Sequence, residues 1–152
     1  MSNTFSKIYI QTVFAVKYRQ ALIASSWEDE LQKYITGIVQ KQGQKMIALN
    51  GTADHVHLLI GMKPNCDLSI LMREVKRSST QFVQEKKFTR HKFQWQGGFG
   101  AFSYEEESLD RVINYIHNQK EHHKKQTFKD EYCALLQKFK IEYEEKYLFE
   151  WI

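Results

Sequence analysis

The dipeptide Asn50-Gly51, set between the apolar runs at 46–49 and 56–62, constrains this chain more than any other local feature. Asn-Gly between two strand-like runs predicts a tight reversal, so the runs pair antiparallel as neighbours in one sheet. Upstream, residues 8–16 are rich in β-branched and aromatic types and fit a largely buried strand. Between that strand and the hairpin, Leu31, Tyr34, Ile35, Ile38 and Val39 recur at helical spacing over 27–42. Ser26 is the expected N-cap, Glu28, Asp29 and Glu30 suit the first turn, and Gly43 is the stop.

After the hairpin, Asp67 or a neighbour caps a second helix reaching about Lys86, with Leu68, Leu71, Met72, Val75, Ser79, Phe82 and Val83 on one face. Residues 93–104 alternate aromatics with glycine and read as a fourth strand, kinked where Gly97, Gly98 and Gly100 allow close approach. Ser108 caps a long helix carrying Leu109, Val112, Ile113, Ile116 and the string from Tyr115 to His123, and Thr127 or Asp130 opens a helical tail. The order β-α-β-β-α-β predicts an α+β fold, a ferredoxin-like or RRM-like antiparallel sheet with two helices on one face. An appended C-terminal helix carries the tyrosine. At 152 residues a single domain is expected over 1–152, with a core over about 5–132 and a tail over about 133–152.

Composition narrows the class. Hydrophobic residues at 42% and charged residues at 26% exclude a disordered or fibrous chain. A net charge of +4, from 22 basic against 18 acidic residues, leans toward an anionic partner without deciding it. Cys66 and Cys133 lack metal-site or disulfide-framework spacing and read as reduced thiols. The N-terminal segment Met-Ser-Asn-Thr-Phe-Ser-Lys has no apolar leader run, and no stretch of about 18 apolar residues occurs, so a cytoplasmic protein without a membrane span is expected.

Chemistry concentrates in two places. In Asp54-His55-Val56-His57, residues i and i+2 of a strand share a face, so His55 and His57 project together and can share a divalent cation. On the last helix Tyr115 and Gln119 stand at i and i+4, one above the other. A phenol with a pKa near 10 is a poor nucleophile toward phosphorus unless a cation polarises the phosphate. Two imidazoles and an amide oxygen would form a neutral three-ligand site with open positions.

The motif His55-Val56-His57, the aromatic-glycine run from Trp95 to Ser103 and the string from Tyr115 to His123 together resemble the single-tyrosine HUH transposases of small bacterial insertion sequences, the IS200-like family. The resemblance spans about residues 5–132. It implies that Tyr115 is the nucleophile and that His55, His57 and Gln119 hold Mg²⁺ or Mn²⁺; two imidazoles suit Mn²⁺ better. It implies cleavage and rejoining of single-stranded DNA at hairpin-bearing element ends through a 5′-phosphotyrosine link, by a homodimer. It also implies that Arg73, Lys76, Arg77 and Ser78 of the second helix, with Ser79, contact phosphates, against a plain solvated face.

Lys17 and Arg19, beside Tyr18, form a weaker basic patch. Aromatics near Gly97 can stack on unpaired bases or simply pack in the core. Asp54 either orients a histidine or closes the hairpin loop, Asn118 extends the tyrosine stripe, and His122 and His123 either return to the site face or stay on the surface. Three alternatives differ in kind: a domesticated relative with the same chemistry acting on dispersed repeats, a non-catalytic single-stranded nucleic-acid-binding module, and a metal-binding structural protein.

Overall fold

In the computed structural model, which describes residues 3–152, β1 (Ile8–Ala15) runs between β3 (His55–Met62) and β4 (Gly100–Tyr104). β2 (Lys45–Gly51) lies outside β3, giving the order β2-β3-β1-β4 with every pairing antiparallel. Residues 1 and 2, the start of the segment read as lacking a leader run, lie outside the described residues. α1 (Ser25–Lys41) connects β1 to β2, and α2 (Leu68–Lys86) connects β3 to β4. This is the expected β-α-β-β-α-β sheet. Among the described residues no helix is long and apolar enough to cross a membrane.

Sequence chemistry sets some of the helix ends. The Asp67 side chain accepts from the Ile70 backbone N–H at 3.2 Å and caps α2, and Gly43, at φ +83°, ends the α1 segment in a conformation other residues resist. Ser26 does not cap α1. The helix begins one residue earlier, at Ser25, with Ala24 in the capping position and no side-chain cap.

Asn50-Gly51 is not the turn. Both residues belong to β2, opposite His57 and Val56, and the chain reverses over Thr52, Ala53 and Asp54. A Cβ on Gly51 would stand 2.2 Å from the His55 carbonyl oxygen, so glycine serves close backbone approach here and not a left-handed turn. Asn50 instead donates its amide to the His117 carbonyl at 2.9 Å.

The fourth strand is shorter than its sequence pattern, starting at Gly100. The run before it forms no regular ladder with β1: it meets the end of that strand through the Val16–Trp95 bridge and the Gln96 N–H bond to the Ala15 carbonyl at 2.7 Å, then turns at Gly98, φ +81°. Phe93 and Trp95 are buried there, Trp95 edge-to-face on Phe14 at 4.7 Å, so the aromatics before β4 serve the core.

Strand alternation gives the sheet two faces. Val56, Leu58 and Ile60 join the main core, packed with α1 and α2, while His55, His57 and Leu59 point to the other face. That second face is covered by α3 (Leu109–His117) and α5 (Phe128–Lys138). Val112 and Ile116 seat α3 on Ala48 and Leu59, each burial contributing about 1.5–3 kcal/mol. The expected single long helix is broken at Asn118 (φ −98°, ψ 21°), after which a short α4 (Gln119–His122) resumes. Ser108 makes no cap bond and ends a 3-10 turn leading into α3.

Thr127 caps α5 by accepting from the Asp130 N–H at 3.1 Å. Tyr132 lies so close over β4 that a Cβ on Gly100 would meet its hydroxyl at 2.6 Å. Leu135, Leu136 and Phe149 are buried in the main core, so chain beyond 132 adds to that core.

Candidate active site

His55 and His57 project from β3 onto the α3–α5 face, both fully buried, with ring centroids 5.2 Å apart. Each imidazole is oriented through Nδ1. His55 Nδ1 is 2.7 Å from Asp54 Oδ1 and 3.0 Å from Thr52 Oγ1, and Thr52 donates to the same Asp54 oxygen at 2.9 Å. Asp54 thus both closes the loop and orients a histidine. Burial works against its charge, yet the bonds from His55 and Thr52 outweigh it and lower its pKa. His55 moves the opposite way: burial disfavours its cation, but bonds to Asp54 and Glu131 raise its pKa. Phe128 stacks on the His55 ring at 3.9 Å and 7°.

His57 Nδ1 lies 2.8 Å from the Gln11 side-chain amide on neighbouring β1, and Gln11 accepts at Oε1 from the Tyr104 hydroxyl at 2.7 Å. Burial lowers the His57 pKa and keeps the ring neutral, the form that ligates metal.

The centre of the site is Glu131, from the first turn of α5. It is 2% exposed. Its Oε1 lies 3.1 Å from His57 Nε2, 3.0 Å from His123 Nε2 and 3.4 Å from His55 Nε2. Its Oε2 accepts from the Tyr115 hydroxyl and from the Gln119 amide at 2.9 Å. Burial opposes ionisation, but the bonds from His123, His55 and His57 hold the carboxyl far below the usual range. Burial and then the Glu131 charge push the Tyr115 phenol well above its ordinary value. Gln119 is fully buried, with Oε1 3.1 Å from His55 Nε2.

These donors fit a divalent cation. His55, His57 and Glu131 each present a ligand atom, all within 4.8 Å of one another and all buried. Bonds of about 2.0–2.2 Å to one ion would place donors roughly 3.0–3.5 Å apart, close to the observed histidine–carboxylate distances. The carboxylate also adds a hard, anionic oxygen suited to Mg²⁺ or Mn²⁺. Ligation at His57 Nε2 puts its proton on Nδ1, which requires Gln11 to turn its amide oxygen there and donate NH₂ to Tyr104.

The other residues singled out in the sequence scatter. His123 reaches Glu131, and the His122 ring stacks on Tyr115 at 4.7 Å. Asn118 is exposed and bonds back to the Asn114 carbonyl, away from the site. On α2, Lys76 is half-buried with burial pushing its pKa down to about 8; it donates to the Gln96 carbonyl at 2.8 Å and sits over the Phe14 ring. Phe14 alternates with Val13, the partner of His57, so Lys76 lies across the sheet from the histidines. Arg77 pairs with Glu74, Arg73 is exposed, Ser78 is half-buried, and Ser79 is consumed by the Val75 carbonyl and the Trp95 indole. Lys17 sits over the Tyr18 ring.

A basic cleft of about 830 Å³ opens beside the histidines instead. Arg19, Lys124, Lys125 and Lys129 line it with Trp151, and His123 and Asp54 lie along it. Of these cations only Arg19 stood out in the sequence. Glu131, Gln11 and Tyr104 were also missed. For Glu131 a signal existed: it occupies one position of the buried stripe Phe128, Glu131, Tyr132, Leu135, Leu136, where a carboxylate is costly unless paired.

The sequence model of the family described as Transposase IS200 like matches residues 4–119, from before β1 through Gln119. The chain belongs to the IS200-like transposase family. No curated protein matches it. Among solved structures, this IS200-like transposase is similar to a candidate transposase from Deinococcus radiodurans R1, at 21% identity and a TM-score of 0.63 over 78% of this chain and 95% of that one. It is also similar to a REP-associated tyrosine transposase bound to a REP hairpin, at 15% identity and a TM-score of 0.61 over 81% of this chain and 73% of that one. At such identities the likeness is one of fold. The family match ends before Glu131, so the carboxylate at the centre of the site comes from outside the matched region of the transposase.

Proposed function

We propose that this transposase cleaves and rejoins single-stranded DNA through a covalent 5′-phosphotyrosine link formed by Tyr115. The observation that carries the reading is the convergence of Tyr115, Gln119 and Glu131 on the buried His55–His57 pair within one chain. His55, His57 and Glu131, with Gln119 beside them, would hold Mg²⁺ or Mn²⁺, which when bound supplies charge to polarise the scissile phosphate.

The chain's own groups divide the remaining work. Glu131 Oε1 faces the histidines and Oε2 faces the phenol, so one carboxylate positions both the ligands and the nucleophile. Because Tyr115 is held neutral, its proton must leave, to water, as the new O–P bond forms; Glu131 Oε2, too weak a base to keep that proton, orients the phenol by accepting its hydrogen bond. The 3′-oxygen that departs takes a proton from water. In the reverse direction a 3′-hydroxyl attacks the phosphotyrosine and releases the phenol, so no external energy source is needed. Arg19, Lys124, Lys125 and Lys129 would track phosphates toward the site. The hairpin-bound neighbour supports a hairpin-bearing strand as substrate. The active form would be a cytoplasmic homodimer.

The test is incubation with single-stranded DNA from the gene's flanks plus Mn²⁺, followed by denaturing electrophoresis. A covalent adduct is expected with the native protein and none with Tyr115→Phe or in chelator; an undiminished adduct from Tyr115→Phe would overturn the assignment.

A further inference from the structure

A second cleft, of about 270 Å³, lies between α3 and α5 on the other side of Tyr115. Tyr104, Val112 and Leu135 make apolar walls, Tyr115 and Glu131 close the inner end, and Arg111 and Lys138 stand exposed at the rim. Lys138 Nζ lies 5.9 Å from the Tyr104 ring centroid. Arg111 donates to the Ser108 hydroxyl at 3.3 Å, and neither Arg111 nor Lys138 forms an ion pair among the described residues.

We propose that this cleft is a nucleobase pocket, taking one unstacked base immediately beside the scissile phosphate. The inference rests on the reading of Tyr115 as nucleophile. An apolar ligand alone would make no use of Arg111 and Lys138, and a free phosphate would make no use of the Tyr104, Val112 and Leu135 walls. A nucleobase on its phosphodiester chain uses both, with its flat face on the apolar walls, its polar edge toward the rim and its phosphates near the cations. The register follows from Tyr115, which is itself part of the pocket wall and bonds to the scissile phosphorus. Gln126 borders both this pocket and the basic cleft, so one strand can lie across the nucleophile with phosphates on one side and a base held on the other. Tyr104 connects the pocket to the ligand set, because its hydroxyl holds Gln11 and Gln11 holds His57.

The test walks one abasic site through the flank-derived oligonucleotide and measures its affinity for Tyr115→Phe protein, which binds without cleaving. One position should weaken binding by roughly 5- to 150-fold, the range of a single base–aromatic stack. That position should adjoin the bond that native protein cleaves. Ala134→Trp, at an exposed position on the pocket rim, should weaken intact DNA by a similar factor and erase the abasic penalty at that position alone. Equal binding at every abasic position, or a penalty that Ala134→Trp leaves intact, overturns the pocket. An adduct without any such penalty leaves the nucleophile standing and removes the pocket. A pocket-dependent penalty without any adduct does the reverse, retaining a base site and removing the cleavage reading.

Discussion

The two halves of the active site are built to different standards of rigidity. The histidines stand on β3, hydrogen-bonded to β1 on one side and β2 on the other, and each Nδ1 is fixed by a partner on the sheet or its adjoining loop. Tyr115, the proposed nucleophile, stands on α3, nine residues long and broken at Asn118, with only Val112 and Ile116 buried beneath it. A helix of that length is marginal alone. Beyond those two side chains it is held by polar bonds, from Asn50 to the His117 carbonyl and from Tyr115 to Glu131, while Lys120 ties the following α4 to Asn50 and Gly51. The contrast places two of the three proposed metal ligands on the sheet and the proposed nucleophile on a short helix.

The sharpest way to break that contrast is to separate nucleophile from ligands. Tyr115→Phe should abolish the adduct while leaving Mn²⁺ affinity, measured by calorimetry, within about twofold, because the phenol is not a ligand. His57→Ala should lower the same affinity by more than about 100-fold, since it removes one of the proposed ligand nitrogens. Comparable metal loss in both variants would show that the halves do not function separately.

Gln11→Leu tests whether the sheet fixes its ligand through Nδ1. It should cost roughly 10- to 100-fold in Mn²⁺ affinity, the usual range for a group orienting a ligating histidine. An unchanged titration would remove Gln11 from the site.

Glu131 joins the two halves, and acid should expose it. Its carboxyl titrates far below 4.5 in the folded protein, whereas the unfolded chain takes up that proton near 4.5. Its stabilisation is therefore complete above that pH and lost as the pH falls below it, by about 1.4 kcal/mol per pH unit in the metal-free protein. Below 6.5 His57, lowered, adds a loss of the same sign as the pH falls, whereas the stabilisation from His55, raised, is complete there and is lost only as the pH rises above 6.5. Urea melts from pH 5 to 3 should show the steep slope in the native protein and lose this component in Glu131→Gln; identical slopes would contradict the buried ionised carboxylate.

The smallest expected effect is that of Asn50→Ala. Freeing the carbonyl at the end of α3 should cost about 1 kcal/mol of stability. It should slow adduct formation several-fold with metal affinity unchanged, and a drop in metal affinity instead would place Asn50 with the sheet half.

Much of this was legible because it repeats with the period of its own element. The i, i+2 rule alone put His55 and His57 on one face, and Asp67 and Thr127 cap their helices as their types dictate. Asn50-Gly51 was legible as a pair of neighbouring strands but not as a conformation, since close approach to the His55 carbonyl and a left-handed turn select the same residue. The spacing of Tyr115 and Gln119 survived the break at Asn118 because one turn still separates them. The placement of the basic residues was not legible, because charge in a sequence carries no face. Lys76 is spent on carbonyls across the sheet, while Lys124 and Lys125, in a loop without periodicity, line the cleft.

Sequence by itself determined the sheet, the paired histidines, the tyrosine one turn from a glutamine, and through them the family. Only the tertiary structure decided that a carboxylate from α5, twelve residues beyond Gln119, completes the centre, and that Gln11 and Tyr104 extend it through the sheet. Local periodicity records which face a side chain takes on its own element. Which faces meet is set by packing between elements, and Glu131 gains its meaning only where α5 closes over β3.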